Sequence, residues 1–325
     1  MIDHSTAQEI TGGVESVPGL VHHCFEVCDG PLSVYEAGDA TQPCVVMLHG
    51  AMYDESRLIW DQLFPFLSSS YHLYAIDTPR HGKSRPWQGF LSRERLMEIL
   101  EVAIAHLGLE RFSMVGLSMG GALCIDFAAR HPEKVVSMAL FEPGGLGETV
   151  DSQFITWLYI KTPGLLRYLN KRYVKKDRTG VFKVLESLYV GGSKPTDPDR
   201  LAGILEDEIQ GKHKYAENDL DDWQLSAMAP FKLKWNLLDT IPLIQCPTLW
   251  LRGAQSVLVK QHEMERAVEL TVSSNAGVAK ARTELRTGAR TGASLLVIEN
   301  AGHMLPLEQP EQANIAVKEF LDKNT

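Results

Sequence analysis

Residues 112–121 read FSMVGLSMGG, and this stretch decides the fold. Phe112 to Leu117 form a short apolar run, as expected of a strand buried on both faces of a parallel sheet. Met119 then opens a helical pattern that runs to Arg130 and stops before His131-Pro132. Ser118 occupies the turn between them, flanked by Gly116 and Gly120 at G-x-S-x-G spacing. Side chains at the two glycines would collide with the tight turn, so their absence leaves room for neighbouring backbone. A serine held there projects its hydroxyl above the strand ends, beside the unpaired N–H groups of a helix start. A glycine-rich turn with a capping serine is the plainer reading of the same letters. The strand–turn–helix setting favours a nucleophile.

Working outward, the alternation is regular. A run at 44–48 (CVVML) ends in His49-Gly50, a helical pattern covers 54–67, a strand 71–76 and a helix 92–107. After the 119–130 helix comes a strand at 135–141 (VVSMALF). Strands alternating with helices need crossover connections, which predicts a mostly parallel sheet covered on both faces. Upstream, runs at 21–28 and 32–37 flank Asp29-Gly30-Pro31 and read as a hairpin. After Phe141 the pattern turns helical and aromatic-rich until Ile241, and strands resume at 247–251 and 294–298, with a last helix near 310–322. The stretch 142–241 therefore reads as an insertion. A smaller insertion near 272–293 carries Lys280, Arg282, Arg286 and Arg290 against Glu284 and reads as a solvated loop.

Composition bounds the partners. The 325 residues hold 32 Lys and Arg against 41 Asp and Glu, a net charge of −9. Nucleic acid and anionic membrane are poor partners for such a chain, although a net charge does not exclude a local basic patch. No apolar run approaches the ~20 residues of a membrane-spanning helix. The sequence predicts neither a nucleic-acid nor a membrane partner. Five scattered cysteines without a signal-peptide pattern suggest reduced thiols and a cytoplasmic protein. His22-His23-Cys24 and Cys28 lack a second ligand pair at zinc spacing, so no metal is expected. Gly82-Lys83-Ser84 imitates the end of a phosphate loop, but Asp77 stands where that loop needs glycine.

With its G-x-S-x-G turn, the chain resembles the α/β-hydrolase superfamily. The resemblance implies a mostly parallel central sheet flanked by helices, with a core of residues 1–142 and 241–325 and a helical cap of residues 143–240. It implies no cofactor, and for an acidic member of the superfamily it implies a monomer or homodimer. It makes Ser118 the nucleophile and His303, in Glu299-Asn300-Ala301-Gly302-His303 after the last strand, the general base. The backbone N–H groups of Ala51 and Met119 would form the oxyanion hole. His49 reads as support for the loop that carries Ala51.

One position departs from the pattern. The family's acid usually follows the strand at 247–251, where this chain has Ser256, with Val257 at a nearby alternative. Neither stabilises an imidazolium as a carboxylate does. Glu142, after the strand 135–141, is the acid the sequence offers instead, as in certain superfamily branches. Glutamate's extra methylene suits the longer reach. Solubility or pairing with a cap cation is the plainer role for Glu142, and Glu263 and Glu265 are further carboxylates on a solvated helix.

Most aromatics of 143–240 read as the cap's own core. Trp157, Met228 and Trp235 are its candidate substrate contacts. The expected reaction is cleavage of an ester or lactone of a mainly apolar small molecule. The same pattern also serves hydrolase-fold lyases, carbon–carbon bond hydrolases and small-molecule receptors.

Overall fold

The structure, a computed structural model, describes residues 12–162, 164–165, 178–282 and 292–325, with backbone alone for 272–282. Among these, eight strands form one sheet: β1 Val21–Val27, β2 Gly30–Ala37, β3 Cys44–Leu48, β4 His72–Asp77, β5 Phe112–Leu117, β6 Val135–Phe141, β7 Thr248–Gly253 and β8 Ala293–Ile298. Their order is β1-β2-β4-β3-β5-β6-β7-β8. β1 and β2 join antiparallel and the pairs from β4 onward are parallel.

Period-two alternation divides the core. Val45, Met47, Val115, Leu117, Ala139 and Phe141 face one apolar cluster. Val46, Leu48, Met114, Met138, Leu140 and Trp250 face the other. Helices cover both: α1 Ser56–Ile59, α2 Leu63–Leu67, α3 Arg93–His106, α4 Met119–Arg130, and, after β8, α10 Leu305–Glu308 and α11 Pro310–Asn324. Between β6 and β7 lie α5 Gln153–Lys161, α6 Arg178–Ser187, α7 Pro198–Lys214 and α8 Asp222–Ala227. The α7 start is set by Asp197, whose carboxylate accepts the Arg200 N–H, and by Pro198 in the first turn. Asp221 and Gln224 close a capping box on α8.

Four expectations change. The helix over 54–67 is two helices. Pro65 has no N–H to bond the Asp61 carbonyl that a continuous helix would offer it. The hairpin turns at Cys28-Asp29, both at positive φ (47° and 76°), while Gly30 and Pro31 belong to β2. The stretch 272–293 is not wholly a loop, because α9 runs from Gln261 to Arg282; Glu284, Arg286 and Arg290 lie outside the described residues. Finally, the inserted helices do not bury all their aromatics. Phe154, Tyr215 and Phe231 are exposed, and Tyr168 and Tyr173 lie outside the described residues.

Candidate active site

Four adjacent strands deliver the site. Leu117 pairs with Phe141, and Phe141 with Leu251. Ser118 and Glu142 therefore leave β5 and β6 side by side. The Ser118 N–H donates to the Phe141 carbonyl at 2.9 Å, and the Glu142 N–H to the Leu251 carbonyl at 3.0 Å. Both residues have positive φ, 52° and 40°, a conformation disfavoured for side chains with a Cβ.

Glu142 is fully buried. Its Oε1 accepts the Gly253 N–H at 2.9 Å. Its Oε2 accepts the Ser256 hydroxyl at 2.5 Å and faces His303 Nδ1 at 2.8 Å. A carboxylate only accepts, so Nδ1 carries the proton and Nε2 is left as the basic nitrogen. Three donors compensate a desolvated carboxylate that would otherwise be costly. Ser256 is itself held in place. Buried Arg252 bonds the carbonyls of Gly253, Ser256 and Val259, folding the loop after β7 around its guanidinium.

The His303 loop is pinned by Glu308. Its Oε1 accepts the Gly302 N–H at 2.8 Å, and its Oε2 accepts the Gly191 N–H at 2.5 Å. One carboxyl thus ties the loop after β8 to the segment between α6 and α7. Burial raises its pKa.

Met119 is the first residue of α4, so its N–H has no intrahelical acceptor. Gly120 lets α4 approach β3: a Cβ there would stand 2.0 Å from the Leu48 carbonyl oxygen. A Cβ on Gly50 would stand 3.4 Å from Ser118 Cβ, which places the Ala51 loop beside the serine. His49 supports that loop. Its Nε2 accepts the Thr78 N–H at 2.9 Å and Nδ1 meets the Gly50 carbonyl at 2.7 Å, so it is neutral with the proton on Nδ1. Burial, with the nearby His81, lowers its pKa to about 3.

The next residue along, Met52, donates its N–H to Asp221 Oδ2 at 2.7 Å. Asp221 also takes Lys212 Nζ at 3.0 Å and faces His81 Nε2 at 3.2 Å. Burial pushes the Asp221 carboxyl up, but Lys212 and His81 outweigh it and hold it below the usual carboxylate range. Sequence reasoning missed this link. Its only trace was Asp221 at a helix start.

The three candidate substrate contacts occupy different surroundings. Trp157 lies on α5 with its ring 5.7 Å from Phe154. Met228 is buried, its sulfur 3.5 Å from Gln153 Nε2. Trp235 packs edge-on to Trp223 at 4.9 Å and under the Arg93 guanidinium at 4.8 Å. Glu263 and Glu265 lie on α9. Glu263 Oε2 accepts the Lys260 N–H and Glu265 meets Gln261.

Residues 43–310 match the model of a family described as the alpha/beta hydrolase fold. The dihydrolipoyllysine-residue acetyltransferase component of an acetoin cleaving system from Pseudomonas putida is 24% identical over 317 residues, 96% of this chain and 72% of that protein. Monoacylglycerol lipase abhd6-B from Xenopus laevis is 25% identical over 284 residues, 86% of this chain and 75% of that one. Carboxylesterase YbfK from Bacillus subtilis is 25% identical over 298 residues, 90% and 84% of the two chains. Its crystal structure superposes with a TM-score of 0.67 at 22% identity, covering 94% of this chain and 93% of that one.

Proposed function

Because the chain belongs to the α/β-hydrolase fold family, we propose that it is a serine hydrolase cleaving a carboxylic ester or lactone of a mainly apolar small molecule. The observation that carries this reading is the 2.8 Å contact between Glu142 Oε2 and His303 Nδ1. It turns Nε2 of the imidazole into a base at the strand ends where Ser118 stands. Carboxylesterase and monoacylglycerol lipase relatives support an acyl substrate.

Ser118 Oγ attacks the carbonyl carbon and its proton passes to His303 Nε2. The carbonyl oxygen, now an oxyanion, lies against the Ala51 and Met119 N–H groups. Glu142 keeps the imidazole oriented and stabilises its cationic form. The C–O bond to the leaving group breaks, and the alkoxide takes the proton from His303. Water then attacks the acyl carbon and gives a proton to the same nitrogen; the bond from that carbon to Ser118 Oγ breaks, Oγ takes the proton back from His303, and the acid leaves. Residues 143–240 act as the cap over these strand ends, with Trp157, Met228 and Trp235 as its substrate-facing side chains. The protein acts without a cofactor.

The test is labelling with a fluorophosphonate probe, peptide mass mapping, and turnover of aryl ester and lactone panels. The expected result is a label on Ser118 and turnover that vanishes in Ser118→Ala. Turnover retained in a well-folded Ser118→Ala protein would overturn the assignment. Rapid labelling with no turnover of any ester or lactone would favour a receptor.

A further inference from the structure

Helix α5 is built inside out. Its buried residue is Gln153, whereas Phe154, Ile155 and Leu158 are 48%, 68% and 51% exposed. Helical spacing lines up residues 154, 158 and 161 on one stripe. Phe231, at 79% exposure, stacks on Phe154 with ring centroids 5.9 Å apart. Gln153 explains the inversion. Its Nε2 donates to the Ala229 carbonyl at 2.6 Å and its Oε1 accepts the Val150 N–H at 2.9 Å. The polar side chain points inward to lock α5 to the 229–231 turn, and the apolar side chains are left facing water. A single exposed apolar residue is ordinary, but several on one helix, with a stacked Phe231 beside them, mark a surface that meets something apolar.

The charge around this platform selects the partner. Lys161 closes the α5 stripe, and Lys232 and Lys234 follow Phe231, all three exposed. Asp151, shortly before Gln153 in the chain, is paired with Lys260 at 2.7 Å, and Glu148 is exposed a few residues further back. Among the described residues, three exposed lysines thus stand against Glu148 and an Asp151 already paired with Lys260, opposite in sign to the −9 of the whole chain.

We propose that this platform docks on an anionic lipid surface. Phe154, Ile155, Leu158 and Phe231 enter the boundary of the acyl chains, and Lys161 and Lys232 meet headgroup phosphates. The expectation of no membrane partner, drawn from net charge, is replaced by a local one. The proposal stands apart from the ester-hydrolase reading, since none of these residues is assigned to the chemistry.

The test is co-sedimentation of the full chain with phosphatidylcholine vesicles and with vesicles containing one-third phosphatidylglycerol. Binding is expected on the anionic vesicles and weakens with added salt. Lys161→Gln and Lys232→Gln each weaken partition about fivefold. The pair Phe154→Ser and Phe231→Ser weakens it about tenfold or more. Turnover of a short soluble aryl ester stays at the wild-type level in all of these variants. Wild-type protein that stays in solution, or binding indifferent to the phenylalanine pair, would overturn the proposal. Concentration-dependent self-association, abolished by the same pair and without vesicle binding, would instead assign the face to a second copy of the chain.

Discussion

Ser256 Oγ donates to Glu142 Oε2 at 2.5 Å across 114 positions of sequence. The loop after β7, usual home of the acid, here supplies a donor, and the carboxylate comes from the neighbouring strand. His303 finds its partner from one strand further along the sheet. The loop after β7 thus holds the Glu142 carboxylate in place through the Ser256 hydroxyl.

This geometry makes the acid transferable. Glu142→Gln, which keeps the shape and removes the charge, lowers kcat by about 10³–10⁴-fold. Glu263→Gln stays near wild type. Adding Ser256→Asp to Glu142→Ala recovers about tenfold or more, because a carboxylate then returns to within reach of the same imidazole. Steady-state kinetics on one aryl ester reads all four proteins. Near wild-type turnover in a folded Glu142→Gln protein removes Glu142 from the triad.

Gly120→Ala tests the approach of α4 to β3. The added methyl would stand 2.0 Å from a backbone oxygen that cannot rotate away. Overpacking of this kind costs about 3 kcal/mol, at the upper end of its usual range. Urea titration should show the loss, accompanied by lower kcat as Met119 and the Ala51 loop separate. An unchanged unfolding midpoint would contradict the close packing.

Asp221 tests the tie between the inserted helices and the loop carrying Ala51. Asp221→Ala strands Lys212, which is 2% exposed, and should cost about 3–5 kcal/mol. Adding Lys212→Met should recover most of that loss. The double variant keeps a lowered kcat, since the Met52 N–H still lacks its acceptor. Additive stability losses in the double-mutant cycle would show that the pair is not coupled.

His49 gives a pH signature. Its folded pKa of about 3 lies below the ordinary 6.5. As pH falls below 6.5, the unfolded chain takes up a proton that the folded chain refuses. This contribution to stability is complete above 6.5 and is lost on acidification, with a limiting slope of about 1.4 kcal/mol per pH unit. His49→Asn lacks it. The stability advantage of wild type over the variant should therefore shrink between about pH 7 and pH 5. A constant difference across that range would mean that His49 titrates normally.

The sequence disclosed what is local. Gly116 to Gly120 report a strained turn because its glycines are adjacent in the chain. The apolar runs report a doubly covered sheet because burial on both faces removes polar alternation. Family membership and the sheet follow from these. What stayed hidden depends on partners far apart. Ser256 read as a vacancy until its hydroxyl was seen on Glu142, and Glu308 gave no sign of bridging Gly302 and Gly191. Composition also misled over α5. Aromatics at helical spacing look the same whether the stripe faces a core or water, and only the inward turn of Gln153 decides which.

The position of Glu142 has one more consequence. It is the last residue before the inserted segment, so the carboxylate and the root of the helices above it share one backbone junction. A graft that exchanges residues 143–240 for those of another hydrolase will keep its catalytic power only if the new segment leaves Glu142 in its φ 40° conformation. On the proposed triad, specificity does not transplant as a free module, because the splice point of such a graft is the proposed acid.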